Sequence, residues 1–496
     1  MLAPQMHAFH LNFRLADRQL AALRRALSAR PTRTARLATR YFDTADGRLA
    51  MAGIGLSLRQ DDDGMRWQSI AGLRGWRDPW PRHDVPCRDD DSAPDLSRHT
   101  DSGAAGRALR RALAGEPAAA LREVAQLELT RQSRQLRHGK STARIALDVG
   151  HLLSADGERP IRQVELALLD GSIADLLMLA QRWAERHGLW LDVRAPIDHT
   201  PDGAPDNAAH TPPAGATPPR LQPAMSPDAA LRAMVASCLD QVLPNAAEVA
   251  DRATAPTHLH QARVGLRRMR SALSSFGDWS EQVATDWPDR LGQLFTQLGQ
   301  TRDRDVLQGL LPRLRAAGMP EPTLPSVSHD QDAARTALRS PGCTALWLEL
   351  LAFATGSVID TSPRRRGLTR LARARLVKLH RRLCDDARLF VALDDSERHR
   401  FRRRLKRLRY SIELTASLLP ARPVARLLDQ LKPAQELLGE YNDLQVAQMR
   451  FQCQLPSDAR AWFALGWLAA SQSQLLQQAS PTLRCLAAPP KFLLRS

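Results

Sequence analysis

The spacing of apolar residues changes once along this chain, and that change decides what it can fold into. Through the first 200 residues, apolar and polar side chains alternate. In "FHLNFRL", Phe9, Leu11, Phe13 and Leu15 fall on one face and His10, Asn12 and Arg14 on the other. A period of two is the mark of strands with one buried face. "IGLSLRQ" puts Ser57 and Arg59 on the polar side, "ARIALDVG" puts Arg144 and Asp148 there, and "RQVELAL" adds Gln163 and Glu165. Such a sheet can curl into an antiparallel β-barrel with a wet interior. "SIADLLMLAQRWAERHG" has helical spacing and ends on Gly188, a natural C-cap. Beyond residue 225 the period is 3.6, as in "LGQLFTQLGQTRDRDVLQGLLPRL" and "RLLDQLKPAQELLGEYNDLQVAQMRF". Residues 198–224, dense in Pro, Gly, Ala and Thr, separate the two texts and are expected to be an extended, disordered linker. Ser226-Pro227 then reads as an N-cap with proline at N1. The expectation is an α+β multidomain chain: a β-barrel over residues 1–197, a linker over 198–224, and an all-α domain over 225–490.

A chain of 496 residues exceeds one ordinary core, which agrees with two domains. Its formal charge of +17 calls for a polyanionic partner or an acidic surface. The six cysteines form no CxxC and no zinc spacing, and so read as reduced thiols in a cytoplasmic protein. The N-terminus lacks a basic segment followed by an apolar one, and no run of 18 apolar residues exists, so neither a signal peptide nor a membrane span is expected.

"HQARVGLRRMR" at residues 260–270 returns as "HRFRRRLKRLR" at residues 399–409. At about 100° per residue, His260, Arg263, Arg267 and Arg270 share one helix face. Ala262, Leu266, Met269, Leu273 and Phe276 cover a neighbouring arc. His399, Arg402, Lys406 and Arg409 repeat the basic stripe, with Arg268 and Arg407 flanking it. "LGQTRDRDV" and "LGEYNDLQV" then follow in nearly the same register, which argues for a duplicated helical unit with halves of about 225–345 and 346–490. Like charges at i,i+3 and i,i+4 repel, and neither stretch contains an acid. Two copies in phase point to an anionic ligand as the counter-charge, met by Arg forks, the Lys point charge and imidazolium. A solvated, salt-bridged face is the plainer alternative. Residues 364–409 add 18 basic residues against 5 acidic ones, which strengthens the anion reading. Few aromatics interleave the stripes, so base stacking is disfavoured; a nucleic-acid backbone binder is the weaker alternative. Asp303, Asp305, Asn442 and Asp443 lack metal-ligand spacing and read as groups that orient the His and Arg side chains.

Over residues 225–490 the chain resembles the CHAD family, carried by "HQARVGLRRMRSAL", "LGQTRDRDV", "RRRLKRLRYSIEL" and "LGEYNDLQV". The resemblance implies two pseudo-symmetric helical bundles that bind inorganic polyphosphate, a granule association, and a ligand surface at the ten basic residues named above. No cofactor is implied for that binding. Residues 6–197 resemble a CYTH domain, the triphosphate tunnel fold, through "LNFRL", "RYFDTADGRLAMAGIGLSLRQ", "IALDVG" and "PIRQVELALLDG". The family's ExExK strand is absent: Ala8, His10 and Asn12 stand in its place. Ser57, Ala71, Arg144 and Gln163 occupy further positions where that family carries charged groups. Only Asp148 and Glu165 are left to hold a divalent ion. The expectation is a degenerate tunnel that binds an anion through Arg59, Arg66, Arg134 and Arg144 or acts as a structural partner. The alternative is an inorganic triphosphatase, with residual catalysis at Glu165 and Asp148 and a requirement for Mg²⁺ or Mn²⁺.

Overall fold

The computed structural model describes residues 9–60, 64–73, 75–77, 82–87, 92–99, 103–114, 120–155, 157–198, 212–251, 256–319, 332–358, 367–483, 486 and 489–494, with the side chains of 300–306 and 480 outside the description. Ala8, residues 199–211 of the expected linker, and the side chains of Asp303 and Asp305 therefore lie outside the described residues.

Among the described residues, the alternating text forms nine strands: β1 (His10–Arg14), β2 (Arg33–Asp43), β3 (Ile54–Gln60), β4 (Arg66–Gly72), β5 (His83–Pro86), β6 (Arg122–His138), β7 (Ser141–Ser154), β8 (Gly157–Asp170) and β9 (Trp190–Leu191). All pairings are antiparallel, in the order β5-β4-β3-β2-β6-β7-β8-β1-β9. The expected barrel is not closed, because β5 and β9 do not pair. The ends are nevertheless tied: Gly75 N donates to Val193 O at 3.1 Å and Ala195 N to Leu73 O at 2.8 Å. The helices among these strands are α1 (Asp17–Ser28), α2 (Arg48–Met51), α3 (Gly103–Ala112) and α4 (Ile173–His187). Helix α4 starts where Ser172 Oγ accepts from Asp175 N, and stops at Gly188, whose φ of 60° is the left-handed cap expected from sequence.

The helical text forms α5 (Pro227–Asp251), α6 (Pro256–Phe276), α7 (Trp287–Gln297), α8 (Gln300–Ala316), α9 (Ala333–Leu338), α10 (Pro341–Thr355), α11 (Leu368–Leu389), α12 (Asp395–Thr415), α13 (Ala421–Gln454), α14 (Ala461–Leu483) and α15 (Lys491–Leu494). The chain divides into two compact units that do not follow the linear boundaries. One holds residues 1–215, 240–262 and 335–356; the other holds 216–239, 263–334 and 357–496. In the first unit the C-terminal part of α5 joins the sheet through buried ions. Arg194 Nη1 donates to Glu248 at 2.5 Å, Arg194 Nη2 to Asp192 at 2.7 Å, and Arg159 Nη2 to Asp251 at 2.5 Å. In the second unit, Phe390, Phe401, Leu405, Leu408, Ile412, Leu431, Leu438 and Leu483 build one core. Leu307, Leu314, Leu444, Phe451 and Leu468 build another. A fully buried Leu or Phe contributes roughly 1.5–3 kcal/mol, so these stripes outweigh the repulsion of the cations beside them.

The second half of the expected linker is ordered. Residues 212–225 are described, Leu221 is buried, and Leu221 N donates to Ser417 Oγ at 2.9 Å. Ser417 Oγ in turn donates to Pro219 O at 3.1 Å. Proline limits the entropy lost when this strap docks, and several of its backbone groups find partners, so low apolar periodicity did not mean disorder.

Candidate polyanion site on the helical repeat

Both repeated helices bury the stripe expected of them. Ala262, Leu266, Met269, Leu273 and Phe276 are buried on α6, and Phe401, Leu405, Leu408 and Ile412 on α12. Helical period then turns the basic residues to neighbouring faces. Where each lands depends on the element packed beside it.

On α6, His260 and Arg270 are exposed and Arg267 is half-buried. Arg263 is only 8% exposed. Its Nη1 donates to Phe295 O at 3.0 Å, and its guanidinium lies 4.2 Å from the Phe295 ring centroid. Arg267 and Arg270 reach the same ring at 5.8 and 6.0 Å. Phe295 thus carries three cations over an aromatic face, a favourable use of the ring quadrupole. Arg268 departs from the expected surface: it is 1% exposed, and its Nη2 donates to Thr217 O and Ser237 Oγ, each at 3.4 Å. Position 268 points away from the stripe, and the strap covers it.

On α12, His399 is exposed while Arg402, Lys406, Arg407 and Arg409 are half-buried. The helix is started by a capping box, with Asp394 accepting from Glu397 N at 2.8 Å. His399 Nδ1 faces Asn442 Oδ1 at 3.2 Å, which places one of the expected orienting groups against a histidine. Asp443, the next residue, is half-buried. Arg398, His399, Arg402, Leu438, Tyr441, Asn442 and Gln445 line a small open pocket. Arg409 is held on its own element and the next, donating to Glu413 at 2.7 Å and to Gln435 at 2.6 Å.

The two helices meet. Ser411 Oγ and Ser275 Oγ are 3.0 Å apart and buried. Just before that contact, partial burial of the Arg270 guanidinium and the neighbouring Arg403 charge hold it below its ordinary value, although the residue as a whole is exposed. Burial, then Arg403, Arg404, Arg270 and Arg382, do the same to Arg407. Cations from both copies thus feel one another in a single field. Partial burial also depresses His399, with Arg403, Arg402 and Lys406 adding to it against its hydrogen bond to Asn442 Oδ1.

The sheet residues separate. Cross-strand register puts Arg59, Arg144, Asp148 and Glu165 on one face. Arg66 alternates to the opposite side from Arg59 and Trp67. Arg134 also lies on the other face, 5.5 Å from the Trp183 ring with Nη1 donating to Leu27 O at 3.5 Å. Neither joins Arg59 and Arg144, because a strand changes face at every residue. Arg59 pairs with Asp84 at 3.3 Å, and Arg144 with Glu165 at 2.7 Å. Asp148 is 0% exposed and accepts from Arg131 at 2.7 and 2.8 Å and from Gln163 at 3.0 Å. The divalent ion implied by the tunnel resemblance does not fit here, since arginines already satisfy its remaining carboxylates.

The family model described as "CHAD domain" matches residues 233–452. The CHAD domain of the plant Ricinus communis, a solved structure, is 31% identical, with 56% of this chain and 98% of that chain covered and a TM-score of 0.48. The chain belongs to the CHAD family. Two further solved structures are weakly similar. A putative adenylate cyclase from Bacillus halodurans is 14% identical over 37% of this chain and 91% of its own, with a TM-score of 0.27. A putative adenylyl cyclase from Hippeastrum with a dominant triphosphatase activity is 15% identical over 40% of this chain and 92% of its own, with a TM-score of 0.28. Similarity that low fixes neither fold nor activity. No curated protein matches the chain.

Within the CHAD domain, sequence reasoning missed Phe295 and Arg403. Phe295 lies 140 residues before Gln435, the distance that separates "LGQTRDRDV" from "LGEYNDLQV". Aligning the two copies through the preceding residues would have paired Phe295 and Gln435 as the groups that receive Arg270 and Arg409. Arg403 sits beside Arg402 in a run of three arginines, and only packing shows which of them faces α6.

Proposed function

We propose that this CHAD protein binds inorganic polyphosphate on the combined basic surface of α6 and α12, and that it resides in the cytoplasm on polyphosphate granules. The observation that carries the proposal is the contact of α6 with α12 at Ser275 and Ser411, 3.0 Å apart, which brings Arg270 within electrostatic reach of Arg403 and Arg407. Burial and like charge destabilise these guanidinia in the free protein. A string of phosphates offers one negative charge per unit and relieves that repulsion. Arg267, Arg270, Arg402 and Arg407 can donate as planar forks, Lys406 as a point charge, and His399 and His260 as imidazolium. Arg263 is a positioning residue, anchored on Phe295. No cofactor is needed for this contact. A short triphosphate has fewer charges with which to bridge both helices. A nucleic-acid reading has less support, because Phe295 is occupied by Arg263 and is not offered as a base platform.

Titration calorimetry of the full chain with long-chain polyphosphate, triphosphate and single-stranded DNA, at two salt concentrations, tests the proposal. Long polyphosphate should bind tightest, with affinity falling steeply as salt rises because neutralised phosphates release counterions. Equal affinity for DNA and polyphosphate, or none for polyphosphate at low salt, overturns it.

A further inference from the structure

The polar face of the sheet carries a second concentration of charge, separate from the helical stripes. Register sets Ala35, Arg131, Asp148, Gln163 and Arg14 in one cross-strand row, and Arg33, Ser133, Ala146, Glu165 and Asn12 in the next. Arg131 stands where it can reach the carboxylates of both rows. Its Nε and Nη2 donate to the two oxygens of Asp148 at 2.7 and 2.8 Å, and Nη2 also lies 3.4 Å from Glu165 Oε2. Arg144 Nη2 takes the other Glu165 oxygen at 2.7 Å. Gln163 Nε2 adds a third donor to Asp148 at 3.0 Å. Another carboxylate of this face, Asp84, accepts from Ser69 at 2.6 Å and from Arg82 at 2.8 Å.

A guanidinium bridging two carboxylates does the electrostatic work of a divalent ion in such a place. It neutralises both and fixes their geometry with a planar fork. It differs in three respects: it is covalently part of the strand, cannot dissociate, and has no open coordination position for water. Burial works against the Arg131 charge, but Glu165 and Asp148 outweigh it and hold the group above its ordinary value. Burial likewise would raise Glu165, yet Arg131 and Arg144 bring it down to about 2.

We propose that Arg131 is the resident cation of this face, bridging Asp148 and Glu165 in place of a metal, so that the sheet unit takes up neither Mg²⁺ nor Mn²⁺. The assignment does not rest on polyphosphate binding by the helices, and either can fail without the other. It also states what single change restores a metal site: removal of the arginine, leaving two carboxylates and the Gln163 amide as hard oxygen ligands.

The test is Mn²⁺ binding to the full chain, read by the loss of free Mn²⁺ signal in electron paramagnetic resonance. The wild-type protein should show no saturable site. Arg131→Ala should gain one saturable Mn²⁺ site, and Arg131→Ala with Asp148→Asn should lose it. Saturable wild-type binding abolished by Asp148→Asn overturns the assignment, as does an Arg131→Ala protein that folds and gains nothing. If Arg131→Ala does not fold, wild type against Asp148→Asn alone still decides. Matching, unsaturable traces support the arginine, and a wild-type site that vanishes in the variant defeats it.

Discussion

Eight residues after His260, Arg268 is sealed under the strap and donates to Thr217 O and Ser237 Oγ. Eight residues after His399, Arg407 stays half-buried among Arg403, Arg404, Arg270 and Arg382. The same letter at the same place in a repeat thus performs opposite tasks. Other pairs diverge as well. Arg270 approaches the Phe295 ring, whereas Arg409 donates to Gln435 Oε1 at 2.6 Å. The α7–α8 text breaks at Leu298-Gly299, whereas α13 runs through Leu438-Gly439 without a break. Duplication supplied two basic helices, and the neighbours of each then decided which cations face solvent. The first copy spends its cations partly on structure; the second keeps more of them at the surface.

That contrast predicts the largest effect in stability. Arg268→Ala should cost about 2–4 kcal/mol in urea unfolding, because it empties a buried volume and removes the guanidinium donor from Ser237 Oγ and Thr217 O, although Thr217 O keeps the Ser237 hydroxyl. Arg407→Ala should lie within about 0.5 kcal/mol of wild type, since relief of like-charge repulsion offsets its lost contacts. In calorimetry the order should invert. Arg407→Ala should weaken long polyphosphate by about tenfold, the worth of one charge-assisted contact, while folded Arg268→Ala stays within about twofold. Equal stability losses would erase the distinction between the copies.

A second test asks whether the copies act as one surface. Arg270→Ala and Arg407→Ala combined should weaken long polyphosphate by about a hundredfold, while triphosphate loses about tenfold, because only a long chain gains from holding both helices at high effective concentration. Parallel losses for the two ligands would make the helices independent sites.

Sequence period revealed the two fold classes, the strand faces, Gly188 as a cap, and the apolar stripes of α6 and α12. It could not reveal the docked strap: Pro219 and Leu221 are held by Ser417, which lies far along the chain, and proline-rich text reads the same docked or free. It could not place Arg66 and Arg134 either. A single residue of offset in a strand reverses the face, so choosing arginines by type alone mixed the two sides of the sheet. Asp148 and Glu165 were legible as polar-face acids. Their partner Arg131 was not, because ion pairs across β6, β7 and β8 depend on register. The CHAD stripes were legible because helix spacing is local, but the burial of Arg268 depends on the strap.

The histidines give a smaller, pH-dependent contrast. In the free protein His399 titrates below the ordinary histidine value, through burial and then through Arg403, Arg402 and Lys406. Phosphate beside it should raise that value, so binding takes up a proton. Affinity should therefore strengthen as pH falls through the bound-state value and level off below the free-state one. His399→Gln should remove a few-fold of this strengthening between about pH 7.5 and 5.5. A profile unchanged by His399→Gln removes the histidine from the ligand surface.

The smallest effect comes from the paired glycines, and the two copies should differ in sign. Gly299 has φ −84° and ψ −28°, a conformation open to any residue, so backbone strain does not require glycine. Space does: a Cβ there would lie 2.7 Å from Arg263 Nη1 and 3.0 Å from Thr296 O. Gly299→Ala should displace the Arg263 guanidinium from Phe295 and cost about 1 kcal/mol, the worth of a hydrogen bond and a cation–π contact less what alanine returns by restricting the unfolded chain. At Gly439 a Cβ meets nothing within 4 Å, and the residue lies inside the continuous helix α13. Gly439→Ala should therefore stabilise by about 0.5–1 kcal/mol, the ordinary gain of alanine over glycine in a helix interior. Urea unfolding of the two single variants reads the difference directly. Stabilisation by both would mean that Arg263 yields its place on Phe295 at no cost. The division of labour between the repeats would then rest on Arg268 alone.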